Sequence, residues 1–162
     1  MTRLTIGFLV CFLGGWVSAQ AAKPPAGHVK GDKPLELGNF SVSLTVKDIA
    51  KSREFYEKLG FHVRTDHQAQ KWLVLQNETA TIGLFQGMFE KNSLTFNPGW
   101  DRNKKTLEHF EDVRDIQKRL KKQGLTLTAS ADESTTGPAF LTLVDPDGNP
   151  VLIDQHVPRP HK

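Results

Sequence analysis

Hydroxyl and carboxylate side chains alternate with apolar residues in two segments of this 162-residue chain. Ser41, Ser43 and Thr45 alternate with apolar residues in FSVSLTV, so they share one face of a predicted strand. Leu152 and Asp154 share the corresponding face of PVLID. These polar groups suit hydrogen bonds to a bound molecule. No nucleophile elbow surrounds Ser41 and no Ser-His-Asp order is readable, so the sequence does not indicate nucleophilic catalysis.

Aromatic and other side chains of further predicted strands extend this set of candidates. The same alternation places on this face Trp72, Val74, Thr81, Phe85, Phe140 and Thr142. Their rings, and that of Trp100 in a later loop, could stack on an apolar or aromatic ligand. The alternative for the rings is burial in the core. The predicted ligand-binding residues are Ser41, Ser43, Thr45, Trp72, Phe85, Phe140, Thr142, Leu152 and Asp154.

The histidines form no recognisable metal motif. His62, His67 and His109 lack partners at the i, i+4 spacing of a helical metal site. Each histidine alone is typical of a surface or structural position. Glu108-His109 is the best rival pair, and a site that joins His109 to Asp154 is an alternative.

Two segments of equal length are predicted to be the helices that position these strands. Asp48 precedes Gly60 by twelve positions, and Asp112 precedes Gly124 by the same distance. An aspartate at each start can accept hydrogen bonds from the exposed amides of the first turn. A glycine at each end permits the positive φ with which a chain leaves a helix. The repeat therefore predicts two similar units.

Short β-rich runs surround both predicted helices. One strand precedes each helix and three follow it, which gives βαβββ twice. The predicted strands are Phe40 to Val46, Phe61 to Thr65, Lys71 to Gln76, Thr81 to Gln86, Ser93 to Asn97, Leu125 to Ala129, Ala139 to Val144 and Pro150 to Asp154.

The segments SLTVKDIAKSREFYEKLGF and DPDGNPVLID resemble the opening and closing signatures of the vicinal-oxygen-chelate superfamily, which contains glyoxalases, bleomycin-resistance proteins and extradiol dioxygenases. The resemblance covers most of residues 37–156. It implies an α+β fold in which two βαβββ modules form a curved mixed sheet around a cleft, with the helices outside. It also implies a homodimer, as in many members of the family.

The resemblance implies a metal site whose usual ligands this chain lacks. Family sites draw His, Gln or Glu from several central strands, and alignment of the two signatures places Ser41 and Leu152 at two of these positions. A hydroxyl is a poor ligand for a transition metal, and leucine offers no donor atom. We therefore expect no metal cofactor at the usual position. A divalent metal held by displaced ligands is the alternative.

The ends of the chain predict an exported protein. A secretory signal peptide over residues 1–21 is predicted from Arg3, the apolar run from Leu4 to Trp16 and the small residues before Ala22. The apolar run is shorter than the roughly 20 residues that a membrane span needs. Residues 22–36 are predicted to be a flexible linker, residues 37–156 the domain and residues 157–162 a loose tail. We expect a periplasmic or secreted protein with no membrane contact after cleavage.

The leading functional prediction is the binding of a small molecule in the cleft. The net charge is +3, from 21 basic and 18 acidic residues. These charges are interleaved, so no nucleic-acid partner is indicated. The alternatives are a glyoxalase-like or dioxygenase-like metalloenzyme with displaced ligands, and a structural or interaction module whose side chains fill the cleft.

Overall fold

A computed structural model of the protein describes residues 33–160. The predicted signal peptide, most of the predicted linker and the last two residues lie outside the described residues. The described part contains eight strands, two α-helices and one short 3-10 helix (Gln68–Gln70): β1 (Asn39–Val46), α1 (Ile49–Lys58), β2 (His62–His67), β3 (Trp72–Gln76), β4 (Thr81–Gln86), β5 (Ser93–Asn97), α2 (Val113–Lys122), β6 (Leu127–Ala129), β7 (Ala139–Val144) and β8 (Pro150–Gln155). No helix among them is long and apolar enough to cross a membrane.

The eight strands form one mixed sheet in the order β2-β3-β4-β1-β5-β8-β7-β6. β1 pairs with β4 and β5 pairs with β8 in parallel, whereas the other pairs are antiparallel. The first strands of the two βαβββ modules, β1 and β5, meet at the centre of the sheet. The predicted α+β fold with a curved mixed sheet is therefore confirmed.

Both helices begin and end at the predicted residues. The Asp48 side chain accepts hydrogen bonds from the amides of Ala50 and Lys51, and Asp112 accepts one from the Arg114 amide. Each helix is followed by a glycine with a φ of 85°. β2 and β6 begin later than predicted, because the amides of Phe61 and Leu125 still donate to carbonyls of the preceding helix.

Each module has its own hydrophobic core between its helix and one face of the sheet. The first core contains Ile49, Leu73, Leu75 and Leu84. The second contains Val113, Ile116, Leu120, Ala131, Leu141 and Ile153. Since strand side chains alternate between faces, the residues between these apolar positions point to the opposite side of the sheet.

A β-bulge in β2 changes the direction of its side chains. Val63 pairs with Leu75 and packs against the first core, but Thr65 pairs with Val74, one position out of regular register. The extra residue in the strand lets Val63 face the core and Thr65 face the cleft side. Strand parity applied to the sequence alone would place both residues on one face.

The chain on either side of the domain is fixed to the second module. Leu35, in the predicted linker, packs against the second core, and the Glu36 amide donates to Glu111. Residues 157–160 were expected to be loose, but Val157 is buried and the Arg159 amide donates to the Thr136 carbonyl. These contacts could not be read from the proline-rich composition of the tail.

Candidate functional site

A cleft of about 900 Å³ lies on the side of the sheet away from the helix-packed cores. Most of the predicted ligand-binding residues line it: Ser41, Ser43, Trp72, Phe85, Thr142, Leu152 and Asp154. Val74 and Thr81, which the same alternation placed on this face, line it as well. The structure therefore brings together residues of both modules around one space.

Two of the predicted residues lie elsewhere. The Thr45 hydroxyl donates to the Phe89 carbonyl over 2.8 Å, and Thr45 lines a separate pocket beside α1. The β4–β5 loop therefore covers Thr45. Phe140 pairs across the strands with Asp154, but it is half exposed and does not line the cleft.

A row of aligned residues crosses the centre of the sheet and forms the floor of the cleft. Ser41 pairs with Thr95, Thr95 with Leu152, and Leu152 with Thr142. Thr95 also exchanges a 2.9 Å hydrogen bond with the Ser43 hydroxyl, and both of these side chains are buried. The floor is therefore uncharged and hydroxyl-rich, with one leucine.

Three aromatic residues, Trp72, Phe85 and Phe89, form one wall of the cleft, called here the aromatic wall. The Trp72 and Phe85 rings are nearly parallel, 6.3 Å apart, and Phe85 contacts Phe89 at 5.1 Å between centroids. The Phe85 ring can pack over residue 83 because this residue is glycine. A Cβ at this position would lie 2.5 Å from Phe85 Cε2.

A polar cluster lies around the end of β8. The His156 ring stacks on Trp100 with centroids 4.3 Å apart, and its Nε2 atom lies 3.1 Å from Asp154 Oδ2. All three residues line the cleft. Asp154 therefore has a partner within the protein.

The connection after β5 forms a hairpin loop (Trp100–Thr106), closed by a bridge between its end residues. Lys104 of this hairpin loop lines the cleft and has a φ of 61°. Its ammonium group donates to Thr65 Oγ1 over 2.9 Å and lies 5.8 Å from the Trp100 ring centroid. Burial and then the nearby Arg64 charge lower the pKa of Lys104 below its ordinary value, because both disfavour the charged amine.

Several cleft residues were absent from the sequence prediction, for two different reasons. Thr95, Asn97 and His156 continue the alternation of β5 and β8, so one further step of the parity rule would have found them. Phe89 and Lys104 lie in loops, where parity does not apply. Nothing in the sequence around Lys104 indicates that its side chain enters the cleft.

The residues at the family's metal position do not fit a divalent metal. Ser41 and Leu152 lie in the floor with Thr95 between them, and this set offers hydroxyls and an alkyl group instead of imidazole or carboxylate. Within residues 33–160, no group of three His, Cys, Asp or Glu residues is placed to hold a metal ion. His109, the rival candidate, is highly exposed and lines a separate pocket, so it does not join Asp154.

The model of the Glyoxalase/Bleomycin resistance protein/Dioxygenase superfamily matches residues 40–153. The chain therefore belongs to this superfamily, and the family predicted from the two signatures is confirmed. No curated protein sequence matches the chain.

Solved structures with the same fold are distant in sequence. A superfamily member from Vibrio splendidus has a TM-score of 0.51 and 14% identity, covering 72% of this chain and 97% of its own. A structure described as the NAD-dependent benzaldehyde dehydrogenase from Legionella pneumophila has a TM-score of 0.54 and 19% identity, covering 73% and 99%. A catechol 2,3-dioxygenase has a TM-score of 0.51 and 16% identity, covering 78% of this chain but 43% of its own. These similarities show the fold alone.

Proposed function

We propose that this protein binds a small planar molecule in the cleft and holds no metal at the family's usual position. The observation that carries the proposal is an open space of about 900 Å³ above a floor in which Ser41, Thr95 and Leu152 occupy the central row. Cavities of this size suit a small ligand. The substitution of the metal ligands leaves the space available for binding.

The lining of the cleft supports a planar ligand. Trp72 and Phe85 present nearly parallel rings, and Phe89 extends this surface. Aromatic surfaces of this kind bind flat molecules through stacking and burial of apolar area. The Ser41 hydroxyl and the Asp154–His156 pair provide polar contacts that orient such a molecule.

Two alternatives make different predictions for the same cleft. A metalloenzyme with displaced ligands is supported by the closeness of Asp154 and His156, and it requires metal for binding or turnover. A structural module requires a cleft that is filled by side chains. The open volume of about 900 Å³ does not favour this alternative. Export with cleavage after Ala21, and homodimer formation, stay predictions from the sequence.

Calorimetric titration of EDTA-dialysed protein with 2-naphthamide, a neutral planar probe, tests the proposal. We expect saturable binding at one site per chain, and metal content far below one atom per chain before dialysis. Trp72→Ala removes one ring of the aromatic wall. We expect this to reduce the binding free energy of 2-naphthamide by about 1.4 kcal/mol, which is about tenfold in affinity.

Phe55→Ala is the matched control, because this exposed aromatic residue of α1 lies outside the cleft. It should leave 2-naphthamide affinity unchanged. Binding that appears only after zinc, manganese or iron is restored would favour the metalloenzyme. No binding with or without metal, or equal losses in the two variants, would contradict the proposed site.

A further inference from the structure

We propose that the ligand of this cleft is a planar aromatic carboxylate whose anionic group binds the Lys104 ammonium. This inference rests on the proposed function and specifies that the ligand is negatively charged. It follows from the position of the hairpin loop, the lack of a carboxylate partner for Lys104, and the aromatic wall of the same cleft.

The hairpin loop is fixed against the first module by three hydrogen bonds. Gln76 Nε2 donates to the Arg102 carbonyl over 3.0 Å, and Arg64 donates to the Asn103 carbonyl over 3.3 Å. The third runs from Lys104 Nζ to Thr65 Oγ1. Thr65 can accept it because the bulge in β2 turns this residue to the cleft side. The ammonium group is therefore held in place before any ligand arrives.

The backbone of Lys104 lies in the turn of the hairpin loop, where its amide donates to the Asp101 carbonyl over 3.0 Å. Its φ of 61° lies in the left-handed region, where lysine is less stable than glycine or asparagine. Lys71, which follows the 3-10 helix, has a similar φ of 65°, so this conformation belongs to the turn and does not by itself indicate a function.

The charge of Lys104 has no carboxylate partner among residues 33–160. Its one side-chain hydrogen bond goes to a neutral hydroxyl, and an ammonium group has three donors, so two are left for a ligand. Asp154 lies beside His156, and Glu90 is exposed at the rim of the cleft. Arg64 adds positive charge near Lys104. An anion is the ligand group that this end of the cleft stabilises best.

A carboxylate attached to a flat ring combines the two recognition features. The carboxylate accepts hydrogen bonds from Lys104, while the ring occupies the space between the hairpin loop and the aromatic wall, both of which line the cleft. A neutral ligand of the same shape gains only the second interaction. The inference is therefore a preference for the anion over its uncharged isostere.

Titration calorimetry with 2-naphthoate and 2-naphthamide, at low ionic strength and with EDTA, measures this preference. We expect the wild-type protein to bind 2-naphthoate at least tenfold more tightly. Lys104→Met should remove the preference by lowering 2-naphthoate affinity at least tenfold, with a much smaller change in 2-naphthamide affinity, while Lys104→Arg should keep part of the preference. Lys105→Met is the matched control, since it removes an exposed charge from the same hairpin loop and should retain the full preference.

The outcomes separate this inference from the proposed function. Equal affinity of the wild-type protein for the two compounds would overturn the inference and leave the proposed function standing. Equal losses for both compounds in Lys104→Met would show that Lys104 only supports the hairpin loop, and would also overturn it. Failure of both compounds to bind would contradict both proposals.

Discussion

Gly83 determines where the Phe85 ring lies in the aromatic wall. The Phe85 ring extends back over the space that a side chain at residue 83 would occupy. The φ of Gly83 is not in the left-handed region, and the three atoms nearest to an added Cβ all belong to this ring. The position therefore isolates one packing contact at the ligand site.

Gly83→Ala should lower the free energy of unfolding by about 1–3 kcal/mol, because the new methyl group forces the Phe85 ring to tilt into the cleft. Urea unfolding of the single variants and of Gly83→Ala/Phe85→Ala measures the coupling between the two positions. We expect Gly83→Ala to lower the free energy of unfolding by at least about 1 kcal/mol less in the Phe85→Ala background than in the wild-type protein. Additive losses would show that Phe85 does not oppose the methyl group.

The lowered pKa of Lys104 gives its charge a characteristic dependence on pH. The amine is charged below its pKa, so 2-naphthoate affinity should be full there and fall as the pH rises through it. His156 and Asp154 line the same cleft and Arg64 lies near Lys104, so the Lys104→Met variant is needed to assign the pH dependence to Lys104. We expect the fall to begin below the ordinary lysine pKa.

Calorimetric titrations from pH 8 upward check this expectation. Lys104→Met should give a weak affinity that does not change over the range. Lys91→Met tests the other lysine that lines the cleft, which is exposed at the rim. If 2-naphthoate affinity no longer fell with pH in Lys91→Met, or still fell in Lys104→Met, the titrating group would be a residue other than Lys104.

At the scale of the elements, a buried polar network fixes the start of α2. Arg114 is fully buried beside Asp112, and its guanidinium also donates to Thr135 and to the carbonyls of Asp132 and Gly137. Gln155 of β8 donates to Asp112 and accepts from the Val113 amide. The network therefore connects helix, loop and central sheet beneath the cleft.

Arg114→Met should lower the free energy of unfolding by about 3–5 kcal/mol, because it removes the buried guanidinium beside the Asp112 carboxylate and leaves it only the more distant Arg159, whose Nε atom lies 3.7 Å away. Lys118→Met is the control on the same helix, where a half-exposed ion pair is worth about 1 kcal/mol or less. Urea unfolding compares the two variants. Equal losses would show that burial of the Arg114–Asp112 pair does not matter to stability.

The sequence predicted the helices and the cleft floor because both follow local rules. Asp48 and Asp112 are good helix caps wherever they occur, and strand parity placed Ser41 and Leu152 on the cleft face. The bulge before Thr65 and the entry of Lys104 depend on contacts between distant segments, so no local pattern indicates them. The sequence therefore did not predict the end of the cleft where Lys104 would favour an anionic ligand.

At the scale of the whole molecule, the fold does not define the ligand. The chain has the fold of a catechol 2,3-dioxygenase and of a superfamily member from Vibrio splendidus at 16% and 14% identity. The same architecture supports many functions through the residues of the cleft. Here the two modules supply different parts: the first most of the aromatic wall, the second the Asp154–His156 pair and the hairpin loop.

The most direct test of metal-free binding in the cleft is a two-dimensional amide NMR titration of EDTA-dialysed protein with 2-naphthamide. We predict saturable shifts of the Ser41, Thr95 and Leu152 amides and of the Trp72 indole, all of which belong to the cleft. Unchanged spectra, shifts confined to other surfaces, or shifts that require added metal would contradict binding at this site without metal.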